Sequence, residues 1–264
     1  MVLLLFVDLD PELAALRPLG GFFPLRTGAP PRGPLPTLAH VYAGHAREAS
    51  GGDPMEASGA DPLDVRVRKV TDALRAPEPR IAASVAHLGL AARLWSAALG
   101  CAVLYGRVPD LDPGLLCWDP DGSAPDDLWL TAVRPPGREG DAAALAGTVL
   151  HGHLVPLAAA LRARYRLAPG LLRGNAASAL AGTARTLDTW ARTHGRPDVA
   201  GRARSLTAAL LAHPLLADTG TLTGTAFRRR SCCLYYRVPG GGVCGDCCFT
   251  RPPRSSPRAA SGGP

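Results

Sequence analysis

Three features of the sequence predict a mainly α fold (α+β): a helical domain with a small β-hairpin, followed by a C-terminal cysteine-rich module. One long apolar stretch and three further segments repeat apolar residues at three- and four-residue spacing, the pattern of core-facing helices. Two short apolar runs flank a turn rich in Asp, Pro, Gly and Ser, which is how a hairpin reads. Five of the seven cysteines fall between Cys232 and Cys248. With 264 residues, 47% hydrophobic and 19% charged, the chain has ample material for a buried core.

Residues 1–79 read as a variable, partly disordered N-terminal region. Its opening, "MVLLLFVDLDPEL", has no basic residue before the apolar run, and Asp8 and Asp10 close that run at once. A secretory signal needs a cationic start, a longer apolar stretch and a small-residue cleavage site. The expected compartment is therefore the cytoplasm, where thiols stay reduced. Residues 16–36 hold several prolines and glycines, and "GHAREASGGDPMEASGADP" (44–62) has the composition of a flexible connector. "DVRVRKVTDALRA" re-enters structure.

Residues 80–226 form the predicted helical domain. Ile81–Tyr105 is long enough to span a bilayer and is the only stretch that reads so, but Arg93 lies near its middle. An arginine at that depth costs at least ~2.5 kcal/mol, so a buried core helix is expected, with His87 and Arg93 hydrogen-bonded internally. "GLLCWDPDGSAPDDLWLTAV" is the hairpin. Helices follow over Asp141–Leu167, kinked at Pro156, over Asn175–His194, with Asn175 as its N-cap, and over Gly201–Leu216. His151 and His153, two apart on a helix, point about 200° from each other and share no metal. Cys101 and Cys117 read as inert core thiols. Residues 227–249 are the cysteine module, and 250–264, "TRPPRSSPRAASGGP", form a disordered tail by composition.

Several functions are excluded. The net charge is +7, but aromatics are only 5% and no recognition motif accompanies the charge, so no nucleic-acid partner is expected. The sole lysine, Lys69, lies in "RVRKVTD" without the glycines of a phosphate loop, and no strand–GxGxxG–helix unit is present. No Ser/His/Asp arrangement stands out.

What remains are the thiols. Adjacent Cα atoms lie ~3.8 Å apart, short of the ~4.4–6.8 Å between bridged cysteines, so a Cys232–Cys233 disulfide would be strained. Zinc takes four cysteines as two short-spaced pairs. Cys244-Gly-Asp-Cys247 is a good half-site, but a vicinal pair is an unusual partner, because neighbouring side chains on an extended strand point oppositely. Either the backbone bends there or the bound object is larger than one ion. A [2Fe–2S] cluster is larger and spreads its thiolates. Gly240, Gly241 and Gly242 can take positive φ and let backbone N–H groups approach sulfur. Such a centre is doubly negative when oxidised. Arg228, Arg229, Arg230, Arg237, Arg251 and Arg254 surround it in sequence, with Asp246 the single acid among them.

The spacing Cys-Cys, ten residues, Cys, two residues, Cys is met by Cys232, Cys233, Cys244 and Cys247. It resembles the terminal motif of the FhuF-like ferric siderophore reductases. "FRRRSCCLYYRVPGGGVCGDCCF", "LGLAARLWSAALGCAVLYGRVPDL" (Leu88–Leu111) and "GNAASALAG" (Gly174–Gly182) are similar to that family as well, over roughly residues 80–249. The resemblance implies a [2Fe–2S] enzyme reducing chelated Fe(III) to Fe(II) for intracellular iron release, with those four cysteines as cluster ligands and Cys248 a bystander. Arg228, Arg229, Arg230 and Arg237 are candidates to steer substrate or partner, and Tyr235 and Tyr236 to line the contact. The partners implied are a ferric siderophore and an external electron donor (a ferredoxin, flavodoxin or reductase), with a peripheral place at the inner face of the membrane. The rival expectations are a zinc-stabilised interaction module without redox activity and an iron–sulfur sensor or assembly protein.

Overall fold

The computed structural model describes residues 13, 16–30, 33–49, 60–134 and 139–253. After a 3-10 turn (Arg17–Leu19) come β1 (Arg26–Thr27), α1 (Leu38–Ala49), α2 (Pro62–Leu74) and α3 (Pro79–Tyr105). Then follow β2 (Leu116–Trp118), β3 (Leu128–Leu130), α4 (Ala142–Tyr165), α5 (Pro169–Thr193), α6 (Pro197–Leu211), β4 (Gly220–Thr223) and β5 (Ala226–Arg229). A second 3-10 turn spans Tyr235–Arg237.

Proline opens α2, α3, α5 and α6, where its missing N–H removes no helical hydrogen bond and its φ is already helical. Asp61 caps α2 by accepting from the Leu63 and Asp64 N–H groups, and Asp141 caps α4 by accepting from Ala144. α3 is apolar on every face and accordingly central. It packs along α5, where the Trp95 indole donates to the Ala176 carbonyl at 3.1 Å and the Ser96 and Thr183 hydroxyls meet at 3.2 Å. α3 and α4 are each long and apolar enough to cross a membrane by length and composition, with 72% and 56% of their most apolar windows buried here. α3 is thus not alone in that property.

The predicted hairpin is β2–β3, antiparallel, with Leu116 opposite Leu130; β1 joins β3 in parallel to make three strands. Arg93 lies 1% exposed in this region. Its Nε donates to Asp127 at 2.9 Å, and its terminal nitrogens donate to the carbonyls of Phe22, Pro24 and Pro125. It is a core arginine with every group engaged. His87, expected to be satisfied in the same way, leaves Nδ1 buried without a partner among the described residues.

Two other expectations change, at Asn175 and at residue 79. Asn175 does not cap a helix: α5 starts at Pro169, which leaves Asn175 fully buried in its interior. Pro156 is preceded by a π-helical stretch, Ala146–Leu154, a widened turn of the kind that appears inside α-helices, often at functional sites. The sequence boundary at residue 79 is not a packing boundary, because Leu38, Val41, Leu63 and Val67 belong to the same buried core as α3. Much of the connector expected at 44–62, and residues 254–264 of the tail, lie outside the described residues. Finally, β4–β5 is a second hairpin that the sequence reading passed over, with Gly220 opposite Arg229 and Leu222 opposite Phe227.

Candidate metal centre

β5 delivers the chain to the cysteines and packs on α5. Ser231, just beyond it, donates to the Gly170 carbonyl at 3.0 Å. The vicinal pair follows, and the Cys233 carbonyl accepts from Ser84 Oγ of α3 at 2.8 Å. Of the two alternatives left open there, the bend is present: Leu234 has φ 70°, a left-handed conformation uncommon for a branched apolar residue, and the 3-10 turn comes next. Of the three consecutive glycines only Gly240 takes positive φ (70°), while Gly241 is required by crowding, since a Cβ there would lie 2.8 Å from the Tyr235 carbonyl.

The returning strand of the loop is tied down from two sides. The Cys247 N–H donates to the Cys244 carbonyl at 3.0 Å, and the Arg229 N–H donates to the Asp246 carbonyl at 3.0 Å. The buried Asp246 carboxylate accepts from Ser178 Oγ of α5 at 2.6 Å and pairs with Arg185 at 3.2 Å. In the sequence Asp246 stands out only as the single acid among six arginines. In the structure it is the anchor of the loop carrying Cys244 and Cys247.

All five thiols of the module come together. Cys233 Sγ and Cys244 Sγ are 3.5 Å apart, close to the ~3.8 Å expected of two thiolates on one tetrahedral metal with ~2.3 Å bonds. The Leu234 N–H donates to Cys232 Sγ at 3.2 Å and the Phe249 N–H to Cys247 Sγ at 3.4 Å, which supplies the backbone donors that tune metal-bound sulfur. Hydrogen bonds from Cys232 first, and then from Cys244, hold the Cys233 thiol far below its ordinary value. The same contacts push Cys232 and Cys244 up. Burial, followed by the neighbouring Cys247, raises Cys248. Among the described residues no three His, Cys, Asp or Glu side chains converge on a single ion. Cys233 is buried, whereas Cys232, Cys244, Cys247 and Cys248 are partly exposed, so the centre sits at the surface with one side against the core. A donor set made wholly of thiols, a 3.5 Å sulfur pair and backbone N–H groups aimed at sulfur fit an iron–sulfur cluster.

The four candidate arginines separate. Arg228 and Arg230 are exposed; Arg228 donates to the Cys248 carbonyl and Arg230 pairs with Asp218 at 2.9 Å. Arg237 pairs with Glu78 at 2.7 Å. Arg229 is only 2% exposed: the alternation of β5 points it inward, so contact with substrate or partner is closed to it. Tyr235 and Tyr236 are both half-buried, and the Tyr236 ring meets Phe249 edge-on at 5.8 Å. Cys101 and Cys117 are buried away from the module. His153 is a packing residue. Its Nε2–H donates to the Leu111 carbonyl at 2.6 Å, which leaves Nδ1 to accept from the Tyr42 hydroxyl at 2.9 Å. His151 is exposed and meets the His213 ring at 5.4 Å.

Residues 229–249 match the family model of the FhuF 2Fe-2S C-terminal domain. The match covers β5's last residue, both cysteine pairs and the loop between them, and the cofactor of the module is a [2Fe–2S] cluster. No curated protein matches the chain.

Proposed function

We propose that the protein is a cytoplasmic ferric-siderophore reductase that frees iron by giving one electron to its chelate. The observation that carries this reading is the gathering of Cys232, Cys233, Cys244 and Cys247 at a partly exposed surface, within the segment that matches a [2Fe–2S] domain. A [2Fe–2S] cluster held by those four thiolates supplies a one-electron carrier. The substrate binds Fe(III) through hard oxygen donors. One electron lowers the metal's charge and with it the Coulomb attraction to those donors, and Fe(II) stands low in the affinity order of divalent ions. Release then follows without any ligand being removed by the protein.

The chain's own residues arrange the encounter. Ser84 fixes the vicinal pair against α3, and Asp246 fixes the second pair against α5. Exposed Arg228 and Arg230 form a cationic rim that raises the local concentration of an anionic chelate. Val243 and Phe249, 38% and 37% exposed and next in the chain to Cys244 and Cys248, offer apolar contact. No dinucleotide motif lies in the sequence, so the electron comes from an external ferredoxin, flavodoxin or reductase.

The test is direct. Protein reduced with dithionite is mixed anaerobically with ferric siderophores, and Fe(II) is trapped by a chelating dye. The expected result is reoxidation of the protein with stoichiometric Fe(II). A reduced centre left untouched by ferric chelates removes the reductase reading and leaves a sensor or assembly role; a protein carrying zinc leaves the interaction module.

A further inference from the structure

Behind Cys233 a chain of buried polar groups joins three elements. Ser84 on α3 holds the Cys233 carbonyl at 2.8 Å. Asn175 on α5 donates through Nδ2 to the Ser84 carbonyl at 2.9 Å and to Ser84 Oγ at 3.1 Å. The Asn175 Oδ1 in turn accepts from Arg229 Nη2 at 2.6 Å, and Nη2 also donates to the Leu171 carbonyl at 3.2 Å. Gly174 makes room for this guanidinium, because a Cβ there would stand 3.0 Å from Nη2 and against the Ser231 hydroxyl.

The rest of the guanidinium is unanswered. Nε and Nη1 of Arg229 are buried without a hydrogen-bond partner, and no carboxylate pairs with this arginine among the described residues. A buried cation without a counter-charge costs several kcal/mol, so a fold that keeps one holds an anion nearby. His87 does not serve, because an imidazole is either neutral or cationic and carries no negative charge to offer. The hydrogen bonds around Arg229 lead to the thiols: its guanidinium reaches the Cys233 carbonyl through Asn175 and Ser84, and its own N–H holds the Asp246 carbonyl, beside Cys247.

We propose that Arg229 is the buried counter-cation of the metal centre, held in place by Asn175 and Ser84, and that it raises the centre's reduction potential. The inference rests on the [2Fe–2S] reading above. Reduction adds one negative charge to a centre already doubly negative. A fixed cation on its buried side therefore stabilises the reduced form more than the oxidised one. Because Arg229 is shielded from solvent ions, its influence persists in salt that screens Arg228 and Arg230.

The experiment is a redox titration of the loaded protein, followed by visible absorbance and electron paramagnetic resonance, for wild type and three variants. Arg229→Gln removes the charge, Arg229→Lys keeps it, and Asn175→Asp neutralises the guanidinium in place. The expected result is a fall in potential for Arg229→Gln and Asn175→Asp corresponding to a tenfold or larger change in the one-electron equilibrium, about 59 mV. That fall should be unchanged between low and high salt, with Arg229→Lys near wild type. Should Arg229→Gln fail to fold, Asn175→Asp decides. A wild-type potential in either charge-removing variant overturns the proposal. So does loss of the cluster from Arg229→Lys together with the other two, which would make Arg229 a piece of scaffold. A wild-type protein without a [2Fe–2S] centre defeats the cofactor reading instead, and the two failures are told apart by the first spectrum.

Discussion

Replacing Arg93 by methionine keeps the length of the side chain and removes a guanidinium that links α3 to both the N-terminal segment and the β2–β3 turn. The guanidinium answers Asp127 at 2.9 Å and the carbonyls of Phe22, Pro24 and Pro125. With arginine and aspartate side chains 1% and 9% exposed, its loss leaves the buried Asp127 carboxylate with the long 3.9 Å pairing to Arg66 alone among the described residues. Breaking a buried pair from one side costs about 3–5 kcal/mol. A domain of this size loses ~2–4 °C per kcal/mol, so Arg93→Met should melt about 6–20 °C lower. Calorimetry and urea unfolding with an unchanged m-value would measure it. The double variant Arg93→Met, Asp127→Leu should recover part of the loss, because the stranded charge goes too. Iron and sulfide per folded molecule, assayed well below the melting temperature, should equal wild type. An Arg93→Met protein with wild-type melting and abolished chelate reduction would refute the reasoning and make Arg93 a substrate contact.

Cys244→Ser should cost the cluster while Cys101→Ala leaves it intact; equal loss in both would undo the ligand assignment. His153 gives a pH signature. Burial holds it neutral by pushing it from 6.5 down to about 4, so below about 6.5 the unfolded chain takes up a proton that the folded one refuses. Stability should be full above that pH, fall as pH drops toward about 4, and level off below, by roughly 3 kcal/mol in all. His153→Gln should flatten that part of the profile, and an unflattened profile would show the imidazole to be uninvolved. Arg228→Gln combined with Arg230→Gln should slow reduction of an anionic chelate several-fold at low salt and little at high salt. A salt-independent effect would point to direct packing.

The helices were legible where the apolar period was long: α3, α4 and the β2–β3 hairpin stand close to where the spacing puts them. α5 starts at Pro169, ahead of the expected cap at Asn175, because at a first helical position proline is a starter. Asn175 is consequently a buried residue of the helix interior. β4–β5 escaped because its strands are short and half-exposed and supply no extended apolar alternation. Arg229 was indistinguishable from Arg228 and Arg230 by composition. The clue was the two-residue period of a strand, which sets Phe227 and Arg229 on one face, both buried, and Arg228 on the other. The thiols were legible because their spacing is chemically restrictive, but the anchors Ser84, Ser178 and Asp246 depend on contacts between distant segments that no local pattern announces.

Everything proposed for the module requires paired, sulfide-bridged irons capable of one-electron change. Metal and acid-labile sulfide analysis of anaerobically prepared protein, with electron paramagnetic resonance after reduction, tests it most directly. A brown protein with equal iron and sulfide and a one-electron signal that appears on reduction is expected; a colourless protein carrying zinc would rule the [2Fe–2S] centre out.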